Sequence, residues 1–63
     1  MNKTYWKLIK RVYVYHDVNG FDLIHIEHAI SQKWITKDAI GQFFTTSLGV
    51  KLASKWYKEQ RAN

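Results

Sequence analysis

His25 and His28 are the first candidates for chemistry, because three-residue spacing puts both rings on one helix face, where they can chelate a metal ion. Glu27 between them projects toward the edge of the core, and the chain has no Cys and no third ligand nearby in sequence. Solvated surface histidines are the better reading, so no metal and no cofactor is expected. His16 reads as a partly buried residue at a helix end. The hydroxyls and carboxylates point the same way. Ser31, Ser47 and Ser54 have no His–carboxylate arrangement, the acids Asp17, Asp22, Glu27, Asp38 and Glu59 are scattered, and no Gly-rich phosphate loop is present. A chain of 63 residues also has little material for a pocket of several hundred Å³. No catalytic residues are assigned, and the chain is expected not to be an enzyme.

Basic residues carry the stronger signal. Ten Lys and Arg against five Asp and Glu give a net charge of +5, a field that favours anionic partners. Lys7, Lys10 and Arg11 stripe the first predicted helix, and Lys51, Lys55 and Lys58, with Arg61 nearby, stripe the last. Both groups lie opposite apolar arcs, which makes two basic helical faces the expected partner-binding surface. The expected partner is an anionic macromolecule, a protein ahead of nucleic acid. A DNA-binding regulator is the alternative: Ser47-Leu48-Gly49-Val50 followed by a basic helix is similar to the turn and recognition helix of a helix-turn-helix. Its register is poor, since Lys55 stands where that motif carries an apolar residue. Third comes a cationic, Trp-rich membrane-active peptide of the bacteriocin kind, against which five acids and a mean hydropathy of -0.41 count.

These residues must be positioned by a small fold. Residues 4–16 predict a helix, with Tyr5, Leu8, Ile9, Val12, Tyr13 and His16 on one side. The competing reading is a β-hairpin turning at Asn19-Gly20 and followed by helices. Helix is preferred, because alternation fails from Tyr5 to Arg11 and Gly20 also serves as a helix-ending residue. A second helix is predicted from Asp22, its N-cap, to about Lys33, with Leu23, Ile26, Ala29, Ile30 and Trp34 on its apolar side. A third is predicted from Thr36 to about Thr46, with Ile40, Phe43 and Phe44 inward. Gly49 then acts as a breaker before a last helix that turns Val50, Ala53, Trp56 and Tyr57 inward.

The expected fold is therefore all-α, a single small domain over residues 1–63 with three to four short helices. Its expected core is aromatic: Trp6, Tyr13, Leu23, Ile26, Ile30, Trp34, Ile40, Phe43, Phe44 and Trp56. So small a core is marginal, with no disulfide to reinforce it, and self-association or a partner would add stability. No apolar run reaches the roughly 20 residues of a membrane span, and the N-terminus has no separate signal core. The default setting is the cytoplasm.

The stretch Phe21, Asp22, Ile26, Ala29-Ile30, Ile35-Thr36, Ile40 and Phe43, with Trp6, Ile9-Lys10 and Tyr13 upstream, resembles the XkdX family of short prophage proteins. The resemblance covers about three-quarters of the chain. It departs in a longer joint before Phe21, in Lys33 where the family often has Gly, and in a helix from Val50 that extends further. It implies a phage or prophage origin, with a host cell or a virion as the setting, and a non-enzymatic role beside the tail or baseplate. Together with the basic faces, the expectation is a virion accessory subunit or a small inhibitor of a host protein. It carries over no functional residues.

Overall fold

The computed structural model describes residues 1–61. Along the chain it places helix α1 (Lys3–Tyr15), helix α2 (Leu23–Ser31), strand β1 (Ile35–Lys37), strand β2 (Phe43–Thr45) and helix α3 (Ser47–Arg61). The all-α expectation is thus corrected: the chain has three helices and a two-stranded antiparallel sheet.

Helix α1 begins where Asn2 caps it, its Oδ1 accepting the Tyr5 amide at 3.1 Å. It ends at His16, whose φ of 58° is left-handed and whose amide donates to the Val12 carbonyl at 2.9 Å. Gly20 therefore does not end this helix, nor does Asn19-Gly20 turn a β-hairpin. Asp17 shapes the joint instead, accepting the Asn19 amide at 3.2 Å, while the Phe21 amide donates to the Val18 carbonyl.

Helix α2 starts at Asp22 as expected, but the Asp22 carboxylate makes no capping bond; its backbone carbonyl takes the amides of His25 and Ile26. At the other end the chain leaves through Lys33, held at φ 63°. The Lys33 and Trp34 amides close back onto the carbonyls of Ile30 and Ala29, each at 3.0 Å. A side chain in the left-handed region costs roughly 1–2 kcal/mol, and glycine's greater freedom in the unfolded chain returns only part of that. Lys33→Gly is expected to raise stability by about 0.5–1 kcal/mol, read as a higher denaturant midpoint with an unchanged slope.

The predicted helix over Thr36–Thr46 is a hairpin. Ile35 pairs with Thr45, Thr36 with Phe44 and Lys37 with Phe43. Two local features overcome the helical spacing of Ile40, Phe43 and Phe44. The Asp38 carboxylate accepts the amides of Ile40 (3.1 Å) and Gln42 (2.8 Å), and Gly41 takes φ 93°. A side chain that captures the next turn's amides offers the backbone an alternative to helix. The flanking Ile-Thr and Phe-Phe-Thr-Thr are residue types enriched in strands.

Helix α3 then begins at Ser47, three residues earlier than the start expected at Val50 after a break at Gly49. Gly49 lies inside its first turn. It is glycine because the chain passes close by: a Cβ there would sit 2.1 Å from the carbonyl oxygen of Trp34. Thr46 caps the helix, its Oγ1 accepting the Gly49 amide at 3.0 Å and donating to the carbonyls of Lys33 (2.5 Å) and Trp34 (3.1 Å).

The buried core is aliphatic: Leu8, Ile9 and Val12 of α1, Ile26 and Ala29 of α2, Ile35 of β1 and Ala53 of α3. Of the aromatic core expected, only Ile26 is fully inside. Trp6, Trp34 and Phe43 pack half-buried against its margin, and Phe44 and Trp56 are also half-buried. Tyr13, Leu23, Ile30 and Ile40 are exposed, Ile40 by 86% at the hairpin tip. A domain this thin has no interior deep enough to enclose an indole, so compact aliphatic side chains fill the centre and the rings seal its edge.

Candidate cationic and aromatic binding face

Helices α1 and α3 run antiparallel. The C-terminal end of α1 is tied to β2, the strand just before α3, by the Phe43 amide donating to the His16 carbonyl at 3.2 Å and by His16 Nδ1 lying 3.2 Å from the Phe43 carbonyl oxygen. The N-terminal half of α1 reaches the far end of α3. There the rings of Trp6 and Tyr57 stack with centroids 5.3 Å apart and planes 9° apart, and Trp56 lies 6.1 Å from Trp6. The consequence is electrostatic. Lys3, Lys7 and Lys10 come to the same end of the molecule as Lys55, Lys58 and Arg61, six of the chain's ten Lys and Arg. Glu59 is the one acid in the same two stretches, 3–10 and 55–61.

Local helix electrostatics fit this charge at one end and oppose it at the other. Lys58 and Arg61 occupy the last turn of α3, where the helix dipole favours cations. Lys3, by contrast, opens α1, whose first turn has no acid. That is an unfavourable place for a cation.

Two of the cations lie against rings. Lys10 Nζ is 5.1 Å from the Trp6 ring centroid, and the Arg61 guanidinium is 5.7 Å from that of Tyr57. In each case the cation follows the aromatic residue by four, so both share a helix face. Between the helices runs a groove of about 300 Å³ lined by Trp6, Ile9, Lys10, Tyr13, Val50, Ala53, Ser54 and Tyr57, with no carboxylate among them.

The two basic stripes are thereby redrawn. Lys7 and Lys10 are exposed on α1, but Arg11, expected to join them, is half-buried and engaged by an acid. It forms a two-pronged ion pair with Asp17, Nε to Oδ1 at 2.6 Å and Nη2 to Oδ2 at 3.2 Å, and lies 4.1 Å from the Tyr15 ring. On α3, Lys51, Lys55, Lys58 and Arg61 are all exposed as expected. Lys51 lies toward the hairpin end of α3, away from the Trp6–Tyr57 stack.

The Arg11 bond, more than its charge alone, holds the Asp17 carboxyl below its usual range, and Asp17 in turn raises the guanidinium. A depressed carboxyl contributes stability at neutral pH that is lost as pH falls through its folded-state pKa. The raised arginine titrates only in strong base and leaves the acid limb unaffected. Acid is therefore expected to lower the melting temperature below about pH 4, the normal range for Asp. Asp17→Asn should flatten that limb in scans from pH 7 to pH 2, by a modest amount because the pair is open to solvent.

The histidines do not stand alone in solvent. His25 lies edge-on to Tyr5 with centroids 5.5 Å apart, and His28 is 5.1 Å from Tyr5 and 5.6 Å from Trp34. Among the described residues no three His, Cys, Asp or Glu side chains come together as a potential metal site. Ser47–Val50, expected as the turn of a helix-turn-helix, is the first turn of α3, and the element before it is strand β2. No described helix is long and apolar enough to cross a membrane.

The sequence pattern placed Lys7, Lys10, Lys51, Lys55, Lys58 and Arg61 outside, but it put Trp6 and Tyr13 in the core and turned Tyr57 inward, where the structure leaves both tyrosines exposed. The signal was present in Trp6/Lys10 and Tyr57/Arg61, aromatic and cation four apart on both helices. Compared with known protein families, curated proteins and solved structures, the chain matches none.

Proposed function

We propose that this is a non-catalytic binding protein that captures an acidic protein partner through the end of the α1–α3 pair. Lys7, Lys10, Lys55, Lys58 and Arg61 supply the charge, and Trp6, Tyr13 and Tyr57 supply the contact area. The single observation behind this reading is the stacked Trp6–Tyr57 pair with Lys10 and Arg61 against its two rings, at the end of the helix pair richest in cations. Trp, Tyr and Arg are the types that concentrate energy at protein interfaces, and the lysines add electrostatic attraction to an acidic partner. The prophage resemblance favours a virion or tail accessory subunit, and inhibition of a host protein is the other role open to such a binder.

A protein is favoured over DNA because the basic helix is not preceded by the turn and helix that would set it in a groove. The test is anisotropy of a labelled, mixed-sequence peptide of Glu and Leu, run beside a random-sequence DNA duplex at low and physiological salt. The Lys55→Glu/Lys58→Glu variant is expected to bind the peptide at least tenfold more weakly, and the duplex should be released at physiological salt. Unchanged peptide binding by that variant would remove the role given to α3. Micromolar duplex binding that survives physiological salt would replace the protein partner with nucleic acid, and leakage of anionic vesicles would replace it with a membrane.

A further inference from the structure

The groove between α1 and α3 specifies the partner further. We infer that it receives the apolar face of an acidic amphipathic helix, which lies along both helices and completes a three-helix bundle on that side. This rests on the acidic-partner reading above.

Three observations carry it. The first is shape. Of the residues lining the groove between antiparallel α1 and α3, Ile9 and Ala53 are buried and form its floor, while Trp6 and Val50 are half-buried and Tyr13 and Tyr57 exposed. A furrow between two antiparallel helices is the seat of a third helix, whose side-chain ridge fits between theirs.

The second is unused apolar surface. Tyr13 is 63% exposed and Tyr57 43% exposed, although both line the groove. At about 300 Å³ the space suits one or two inserted side chains and lies at the lower limit of small-ligand pockets.

The third is charge. Lys10 belongs to the groove lining, and Arg61 lies against the ring of Tyr57. Lys58 is also exposed near this end of α3, whereas Lys55 lines a separate hollow with Trp34, Trp56 and Glu59. An occupant with Leu or Ile at helical spacing toward the floor and Glu or Asp on its flanks would meet cations on both sides. A basic helix would be repelled, and a polar extended strand would leave the rings uncovered.

The experiment uses two synthetic peptides of identical composition, each 18 residues of Leu, Glu and Ala. One carries Leu at positions i, i+3/i+4 and i+7, so that helix formation makes a single apolar stripe; the other has the same residues scrambled. Each is titrated into the full-length protein by calorimetry at physiological salt. The inference expects the striped peptide to bind at least tenfold more tightly. It also expects Ser54→Arg, an exposed position in the groove, to reduce striped-peptide binding at least tenfold without changing the circular dichroism spectrum.

Equal binding of the two peptides, with Ser54→Arg without effect, would overturn the groove occupant while leaving the acidic-partner reading in place. Absence of binding by both peptides would overturn both. If Ser54→Arg disturbs the spectrum, Lys10→Glu replaces it, with the same tenfold loss expected for the striped peptide and a twofold or smaller loss overturning the groove assignment.

Discussion

Gly49→Ala is expected to destabilise the fold by about 3 kcal/mol, the upper end of what overpacking costs. The added methyl would meet the Trp34 carbonyl oxygen at 2.1 Å, its carbon at 2.8 Å and the Trp34 Cα at 2.9 Å. All three are backbone atoms, so no rotamer change relieves the clash. Relief requires the first turn of α3 to lift from the segment between α2 and β1. That shift would also disturb Ala53, one turn along α3 and buried against the core. A domain of this size has a total stability of roughly 3–9 kcal/mol, so the loss is a large share of it. Urea denaturation of the variant should show a much lower midpoint, or an unfolded baseline from the start. A change below about 0.5 kcal/mol would show that α3 does not approach Trp34 this closely.

Thr46→Val is the second large effect, at about 2 kcal/mol. The substitution keeps the branched shape that fits the end of β2 and deletes only the hydroxyl. That hydroxyl caps α3 by accepting the Gly49 amide and also donates toward the carbonyls of Lys33 and Trp34. Cap loss alone costs roughly 0.5–2 kcal/mol, and the rest comes from carbonyls that lose their donor. The Trp34 carbonyl keeps the Thr46 amide at 3.1 Å, which limits the damage. Thr46→Ser, which retains the hydroxyl, should recover most of the loss. Because Gly49 and Thr46 act at the same Trp34 contact, their effects are expected not to add, and a double-mutant cycle would measure the coupling.

Much of the helical framework was legible because its signals are local. The arc of Leu8, Ile9 and Val12 announces α1 and supplies three of the buried residues. Asp22 marks the start of α2, although its carboxylate makes no capping bond. The hairpin was misread because Ile40, Phe43 and Phe44 have helical spacing, while the cues against helix are a side chain, Asp38, and a glycine, Gly41, whose effect depends on the loop already being closed. Gly49 was misread for a related reason. A glycine that breaks a helix and a glycine that admits a neighbouring backbone look identical in sequence, and only the tertiary approach of Trp34 separates them.

The site was half legible. Exposed lysines follow from helical spacing, and Lys51, Lys55, Lys58 and Arg61 lie outside as expected. What one helix cannot show is where the other lies. The meeting of α1's N-terminal half with α3's C-terminal half is a tertiary fact, and so is the removal of Arg11 by Asp17, six residues away across the left-handed end of α1. Lys33 is the converse case. Its departure from the glycine of the resembled family was visible in sequence, and the fold gives it a physical meaning at φ 63°.

Binding at the Trp6–Tyr57 end of the α1–α3 pair is tested most directly by an amide and indole shift map by NMR. Isotope-labelled protein would be titrated with the striped acidic peptide at physiological salt, and in parallel with the DNA duplex. The predicted result is that the Trp6 indole and the amides of Lys10, Tyr13, Ser54, Tyr57 and Arg61 move with the peptide, while α2 and the hairpin stay in place and the duplex causes no saturable change. Shifts centred on α2 or the hairpin, or saturation by the duplex alone, would contradict it.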